Sequence, residues 1–143
     1  IWAANKMLGI PLDEALIANL DKAALQEHAE LTSKAILEKF PNCRTVANTF
    51  RFDYQQGIRY FTTLFEAGTL YTSHEYQVEQ ILDKVGSGDC FMAGLIYGLY
   101  HQLPPTETLE FATAAAFKKL FIPSDATTST VAEINDTILA YAN

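Results

Sequence analysis

The sequence predicts an α/β protein in which a sheet is flanked by helices. Segments with apolar residues at helical spacing alternate with short segments rich in β-branched and aromatic residues, which are typical of strands. A polar, glycine-rich segment (residues 83–89) is followed directly by an apolar one (residues 90–100), which indicates a tight turn and then a buried helix. The composition agrees with a folded chain, since 49% of the 143 residues are hydrophobic.

The helices are predicted from apolar spacing and from residues that begin or end helices. A short helix over residues 1–8 is expected to end at Gly9, and a long amphipathic helix over residues 21–40 to end before Pro41. The apolar segment should form a buried helix that begins near Asp89. A helix over residues 105–121 follows Pro104, and a capping-box sequence at residues 130–133 begins the last one. Residues 13–19 are compatible with a further short helix.

The strands are predicted from short apolar and aromatic segments. Residues 45–50 are expected to form a buried, central strand of a parallel sheet. Residues 58–66 and 69–73 indicate a hairpin around Ala67 and Gly68, and residues 76–82 a further strand.

Charge and composition exclude several classes of function. Ten basic and 17 acidic residues give a net charge of −7, so no broad positive surface is expected for nucleic acid. The longest apolar run is about half the length of a membrane span. Cys43 and Cys90 form no CxxC pair, and the three histidines are scattered, so neither a disulfide framework nor a metal site is expected. We therefore expect a cytoplasmic protein without a membrane partner.

The glycine-rich segment has the composition of an anion site. Unpaired N–H groups at the start of a helix attract anions, and Gly86 and Gly88 let the backbone approach a phosphate closely. A carboxylate beside a phosphate is unfavourable for binding alone, but Asp89 could accept the proton of an attacking hydroxyl in phosphoryl transfer. The alternative is an ordinary tight turn in which Asp89 caps the helix.

Residues 83–94 closely resemble a known signature. Their sequence, DKVGSGDCFMAG, resembles the D-T-x-G-A-G-D-x-F-x-A-G motif of the ribokinase-like sugar kinases, the PfkB carbohydrate kinase family. The matching anchor positions are Asp83, Gly86, Gly88, Asp89, Phe91 and Ala93-Gly94. The sequence departs from the motif at Lys84, Ser87 and Cys90, and Lys84 stands where threonine is usual.

The resemblance implies a fold and an activity. The expected fold is ribokinase-like, with a Rossmann-like central sheet, and residues 1–143 would be the C-terminal, nucleotide-binding part of one kinase domain. The activity would be phosphorylation of a sugar or sugar-acid hydroxyl by ATP with Mg²⁺, and a monovalent cation would lie beside Asp83. Residues 94–99 and 115–125 resemble 2-keto-3-deoxygluconate kinases in particular. The expected assembly is a homo-oligomer.

Two alternatives to that substrate and activity remain open from the sequence. One is another sugar kinase of the fructokinase or ribokinase type. The other is a relative without catalysis, either a nucleotide- or sugar-binding protein or an α/β fragment that pairs with a separate N-terminal half.

The resemblance also implies roles for individual residues. Asp89 would be the general base and would contact the sugar, while Gly86, Ser87 and Gly88 would form an anion hole for the transferred phosphoryl group. The remaining roles are nucleotide contacts for Thr49 and Arg51, a sugar-acid contact for Asp125, and a wall of the adenine pocket for residues 114–118. No residue is assigned as a metal ligand.

Overall fold

The computed structural model describes residues 1–12, 15, 21–54 and 57–141, and these residues form five helices and four strands. Apart from residue 15, the short helix expected at residues 13–19 lies outside the described residues. The elements in chain order are α1 (Trp2–Leu8), α2 (Lys22–Lys39), β1 (Thr45–Tyr54), β2 (Gly57–Glu66), β3 (Thr69–Thr72), β4 (Tyr76–Val78), α3 (Ser87–Tyr100), α4 (Pro105–Lys119) and α5 (Val131–Tyr141).

The four strands form an antiparallel sheet, which corrects the expectation of a parallel one. The strand order is β1-β2-β3, and β4 also pairs with β2, with Ile58 opposite Val78 and Tyr60 opposite Tyr76. Among the described strands, β2 is therefore the inner one and β1 lies at an end, contrary to the prediction for residues 45–50. The burial explains the difference, because β2 is buried along nearly its whole length, whereas β1 alternates between buried and less buried residues.

Contacts between Cα atoms divide the chain into two compact units, Ile1–Asn48 with Thr63–Tyr71 and Thr49–Thr62 with Thr72–Asn143. In the first unit, α2 begins at Asp21, whose carboxylate accepts a hydrogen bond from the Ala24 amide (3.3 Å). The β2–β3 turn has positive φ at both Ala67 (48°) and Gly68 (82°), the backbone of a two-residue hairpin turn. The predicted hairpin is thereby confirmed.

In the second unit, α3 and α4 pack closely through two glycines. A Cβ placed on Gly94 would lie 2.5 Å from Cα of Ala112, and one on Gly98 would lie 2.7 Å from the Thr108 side chain. Most of α4 is buried. The predicted capping box of α5 is confirmed, since the Glu133 carboxylate accepts a hydrogen bond from the Thr130 amide (2.7 Å).

Several predicted boundaries differ from those in the structure. Strand β4 ends at Val78 rather than residue 82, because the Leu82 and Asp83 amides donate to the Leu120 carbonyl oxygen (2.8 and 3.1 Å) instead of to a strand. Helix α4 ends at Lys119, two residues before the predicted end. The predictions for α1, ending at Gly9, and for α2 are confirmed.

Helix α3 begins within the predicted glycine-rich turn, but only one of its faces is buried. Its buried residues include Phe91 and Leu95, whereas Met92, Ile96 and Leu99 are about half exposed or more. No helix within the described ranges is long and apolar enough to cross a bilayer.

Candidate active site

The glycine-rich loop enters α3 through Gly86, whose φ is 78°. This left-handed conformation favours glycine, and a Cβ at this position would lie 1.8 Å from the carbonyl oxygen of Asp125. Gly86 therefore meets two separate requirements, a positive φ and close approach to another segment. The same contact brings Asp125, a predicted substrate residue, against the loop through its backbone.

Hydrogen bonds within the loop brace its shape. The Asp83 carboxylate accepts from the Val85 amide (2.9 Å). The Ser87 hydroxyl donates to the carbonyl oxygen of Lys84 (2.9 Å), and the Ser87 amide points to the same oxygen at 3.4 Å. Because both donors of Ser87 are engaged within the loop, the amides of Gly88 and Asp89 are better placed for an anion than those of Ser87.

Asp89 lies in the first turn of α3 and is exposed. Gly86 is the N-cap residue of this helix, so the alternative in which Asp89 caps the helix is wrong. The first intrahelical hydrogen bond runs from the Cys90 amide to the Gly86 carbonyl oxygen (2.9 Å), so the Gly88 and Asp89 amides before it have no acceptor within the helix. A Cβ added at Gly88 would meet no atom within 4 Å. The helix end is open to a ligand, with a carboxylate beside it.

Thr49 and Arg51 lie on the same exposed side of β1, because alternate residues of a strand share a face. The next residue on this side is Asp53, which was not among the predicted site residues. Its carboxylate lies 3.5 Å from Nε of Arg51 and 2.8 Å from Nζ of Lys84. Asp53 thus connects Arg51 to the glycine-rich loop. The alternation 49, 51, 53 could have indicated it if β1 had been predicted to its full length.

A pocket of about 380 Å³ lies between the end of α4 and α5. Its lining includes the aromatic rings of Phe117, Phe121 and Tyr141 and the hydroxyl-bearing Ser129. Among the described residues, the buried Oγ of Ser129 has no hydrogen-bond partner. Residues 114–118 were predicted to form a wall of the adenine pocket. Residues 117 and 118 line this pocket, whereas residues 114–116 of α4 are buried in the protein core.

The family resemblance implies two cations, Mg²⁺ and a monovalent cation. Within the described part of the chain, no group of three or more His, Cys, Asp or Glu side chains is arranged to hold a metal ion. A monovalent cation was expected beside Asp83, but the carbonyl oxygen of this residue already has the Lys119 ammonium at 3.5 Å. The residues present therefore do not fit a monovalent cation at that position.

Part of the chain matches a known protein family. Residues 55–120, which include the whole glycine-rich loop and α3, match the pfkB family of carbohydrate kinases. These residues thus have the sequence of a pfkB-family carbohydrate kinase domain. The match covers the signature residues Asp83, Gly86, Gly88 and Asp89, so the family resemblance found in the sequence is confirmed.

Solved structures of two kinases have the same fold. The 2-dehydro-3-deoxygluconokinase of Thermotoga maritima is 27% identical and superimposes with a TM-score of 0.81 over 95% of this chain and 39% of its own. A PfkB family carbohydrate kinase of Listeria grayi is 30% identical, with a TM-score of 0.73 over 76% of this chain and 34% of its own. The predicted ribokinase-like α/β fold is thereby confirmed.

A curated relative matches over a shorter stretch. The 1-phosphofructokinase of Haemophilus influenzae is 52% identical over 40 residues, which are 28% of this chain and 13% of the relative. The chain therefore spans well under half the length of each of these three proteins.

Proposed function

We propose that this chain carries the phosphate-binding loop and the catalytic base of an ATP-dependent carbohydrate kinase. The observation that supports this most is the combination at the start of α3: a left-handed Gly86, open space over Gly88, and the exposed carboxylate of Asp89 in the same turn. A helix N-terminus stabilises negative charge, and a carboxylate beside it suits proton transfer.

In the proposed reaction, Asp89 accepts the proton of a sugar hydroxyl while that oxygen attacks the γ-phosphorus of ATP. The bond from the γ-phosphorus to the bridging oxygen breaks, and ADP leaves. The Gly88 and Asp89 amides stabilise the charge on the transferred phosphoryl group. Mg²⁺ bound to ATP would neutralise part of the phosphate charge. Arg51 and Lys84, held together by Asp53, would add positive charge for the phosphates.

The pocket between α4 and α5 suits the base of the nucleotide. Phe121 and Tyr141 offer aromatic surface to a planar ring, and Ser129 offers a hydroxyl without a partner among the described residues. We propose that Ser129 contacts the base by a hydrogen bond. Thr49 remains a proposed nucleotide contact because it lies on the same side of β1 as Arg51.

The proposed substrate is a sugar acid, 2-keto-3-deoxygluconate, with Asp125 as a contact. The similarity to the Thermotoga 2-dehydro-3-deoxygluconokinase over 95% of this chain supports it. A phosphorylated sugar is the second candidate, since the 40-residue match to a 1-phosphofructokinase favours it. Comparing kcat/KM for the two substrates in the full-length protein would decide between them.

The substitution Asp89→Asn tests the proposed base. An amide keeps the size of the side chain but cannot accept the proton, so kcat should fall by roughly 10²–10⁴ while ATP affinity changes little. The measurement is steady-state phosphorylation by the full-length protein, together with ATP binding by calorimetry.

Glu107→Gln is the matched control for this test, because Glu107 is an acidic residue in the first turn of the neighbouring helix α4. It should leave kcat unchanged. If Asp89→Asn turned over at the wild-type rate, Asp89 would not be the base. ATP binding without turnover in the unmodified protein would favour a relative that only binds nucleotide.

A further inference from the structure

Lys119, the last residue of α4, is a buried cation with unusual partners. Its side chain has 0% exposure, and Nζ donates to the carbonyl oxygen of Ile122 at 3.0 Å and lies 3.5 Å from that of Asp83. Within the described residues, no carboxylate lies within 4 Å of this ammonium. Removing an ammonium from water is costly unless other groups replace its hydration, so this arrangement calls for an explanation.

The two carbonyl groups belong to the two segments that meet at Gly86. Asp83 begins the glycine-rich loop, and Ile122 begins the turn that leads to Asp125, whose backbone touches Gly86. The Leu82 and Asp83 amides also donate to the Leu120 carbonyl oxygen, beside Lys119 in the chain. The ammonium therefore lies where the loop and this turn are joined.

The charge of Lys119 also reaches the first turn of α3. Burial raises the pKa of the Cys90 thiol, and the Lys119 ammonium is the largest influence in the opposite direction. Cys90 directly follows Asp89. Positive charge is thus supplied from within the protein behind the helix end that is open to an anion.

Backbone carbonyl oxygens that converge on one positive charge are the kind of ligand set that monovalent cations take in proteins. We infer that Lys119 is a built-in cation, which holds the glycine-rich loop against residues 120–125 in place of a bound K⁺ or Na⁺. The loop's shape is then independent of monovalent cations. That this loop binds phosphate rests on the proposed function. That Lys119 holds the loop in place does not.

The first experiment needs no substitution. Thermal unfolding of the protein is followed in KCl, in NaCl and in choline chloride at equal ionic strength. A cation that bound only to the folded state would raise Tm with a saturable concentration dependence. We expect the same Tm in all three salts. A saturable rise in KCl or NaCl, absent in choline chloride, would overturn the inference.

The second experiment removes the ammonium. Lys119→Ala should lower Tm by several degrees, shift the amide NMR resonances of Gly86, Ser87 and Gly88, and create space in which added NH₄Cl partly restores both. Lys34→Ala is the matched control, since Lys34 is an exposed helical lysine paired with Glu30. It should show neither the resonance shifts nor the recovery.

Two results of the second experiment would contradict the inference: wild-type loop resonances in Lys119→Ala, or equal recovery by NH₄Cl in both variants. If Lys119→Ala does not fold, Lys119→Arg keeps the charge and should retain the loop resonances and the insensitivity to K⁺. Neither experiment measures phosphoryl transfer, so failure of the proposed kinase activity would be seen separately.

Discussion

At the scale of single residues, Gly86 and Gly88 differ in what a methyl group would meet. At Gly88 the space is open, and this space lies where the phosphate is proposed to bind. We predict that Gly88→Ala folds normally but loses phosphate contact, because the new Cβ keeps the phosphate away from the amides. The kcat/KM for ATP should fall by roughly tenfold or more, a loss of about 1.4 kcal/mol or greater. Steady-state kinetics at varied ATP concentration would measure it.

Gly86→Ala provides the contrast. Its Cβ would lie 1.8 Å from the Asp125 carbonyl oxygen, and the positive φ disfavours alanine as well, so this variant should be less stable as well as less active. If Gly88→Ala kept wild-type kinetics with ATP, the phosphate would have to bind elsewhere.

The sequence indicated those residues of the candidate site that lie together in the chain. The signature predicted a turn at Gly86 and Asp89 at the start of a helix, because a turn and a helix start depend on neighbouring residues. Asp53 and Lys119 could not, since their importance comes from partners distant in sequence: Lys84 for Asp53, and the Asp83 carbonyl for Lys119. The engagement of the Ser87 hydroxyl depends on the exact fold of the loop and was also missed.

At the scale of helices and strands, Gly94 determines how closely α3 approaches α4. Alanine is normally the better helix former by about 1 kcal/mol. At Gly94, however, the added Cβ would lie 2.5 Å from Cα of Ala112, which is backbone and cannot move aside alone. We predict that Gly94→Ala destabilises the protein by about 1–3 kcal/mol, as overpacking does. Urea unfolding followed by circular dichroism would measure the change.

Gly88→Ala serves as the control for Gly94→Ala because it makes the same substitution in the same helix, where no atom lies within 4 Å. It should be neutral or slightly stabilising. Equal stability of the two variants would mean that α3 and α4 can separate without cost.

Elements defined by local signals were predicted well, and the arrangement of the sheet was not. The hairpin turn at Ala67 and Gly68, the Gly9 end of α1 and the capping box of α5 all depend on a few adjacent residues. The position of β1 at an end of the sheet depends on pairing between distant segments. The alternation of apolar and charged residues over residues 50–53 was a sequence signal for this position. The strand was predicted only to residue 50, however, which is too short to show the alternation.

At the scale of the whole molecule, the exposed side of α3 affects how the chain behaves alone. Met92, Ile96 and Leu99 recur at helical spacing, and Tyr100 lies beside them, so the helix presents an apolar stripe to solvent. Contiguous apolar surface on a soluble protein usually marks an interface. The chain spans 39% of the Thermotoga protein it resembles.

We predict that the 143-residue chain associates with further copies of itself through this stripe, because association removes apolar surface from water. Light scattering over a range of concentrations should give a mass above that of the monomer, and Ile96→Lys should shift it towards the monomer. Leu139→Lys is the matched control, since Leu139 is comparably exposed, at 68% against 60%, but lies on α5. A wild-type chain that stayed monomeric at all concentrations would show that the apolar stripe can remain exposed to water without association, contrary to this prediction. An equal effect of the two substitutions would place the association on another surface.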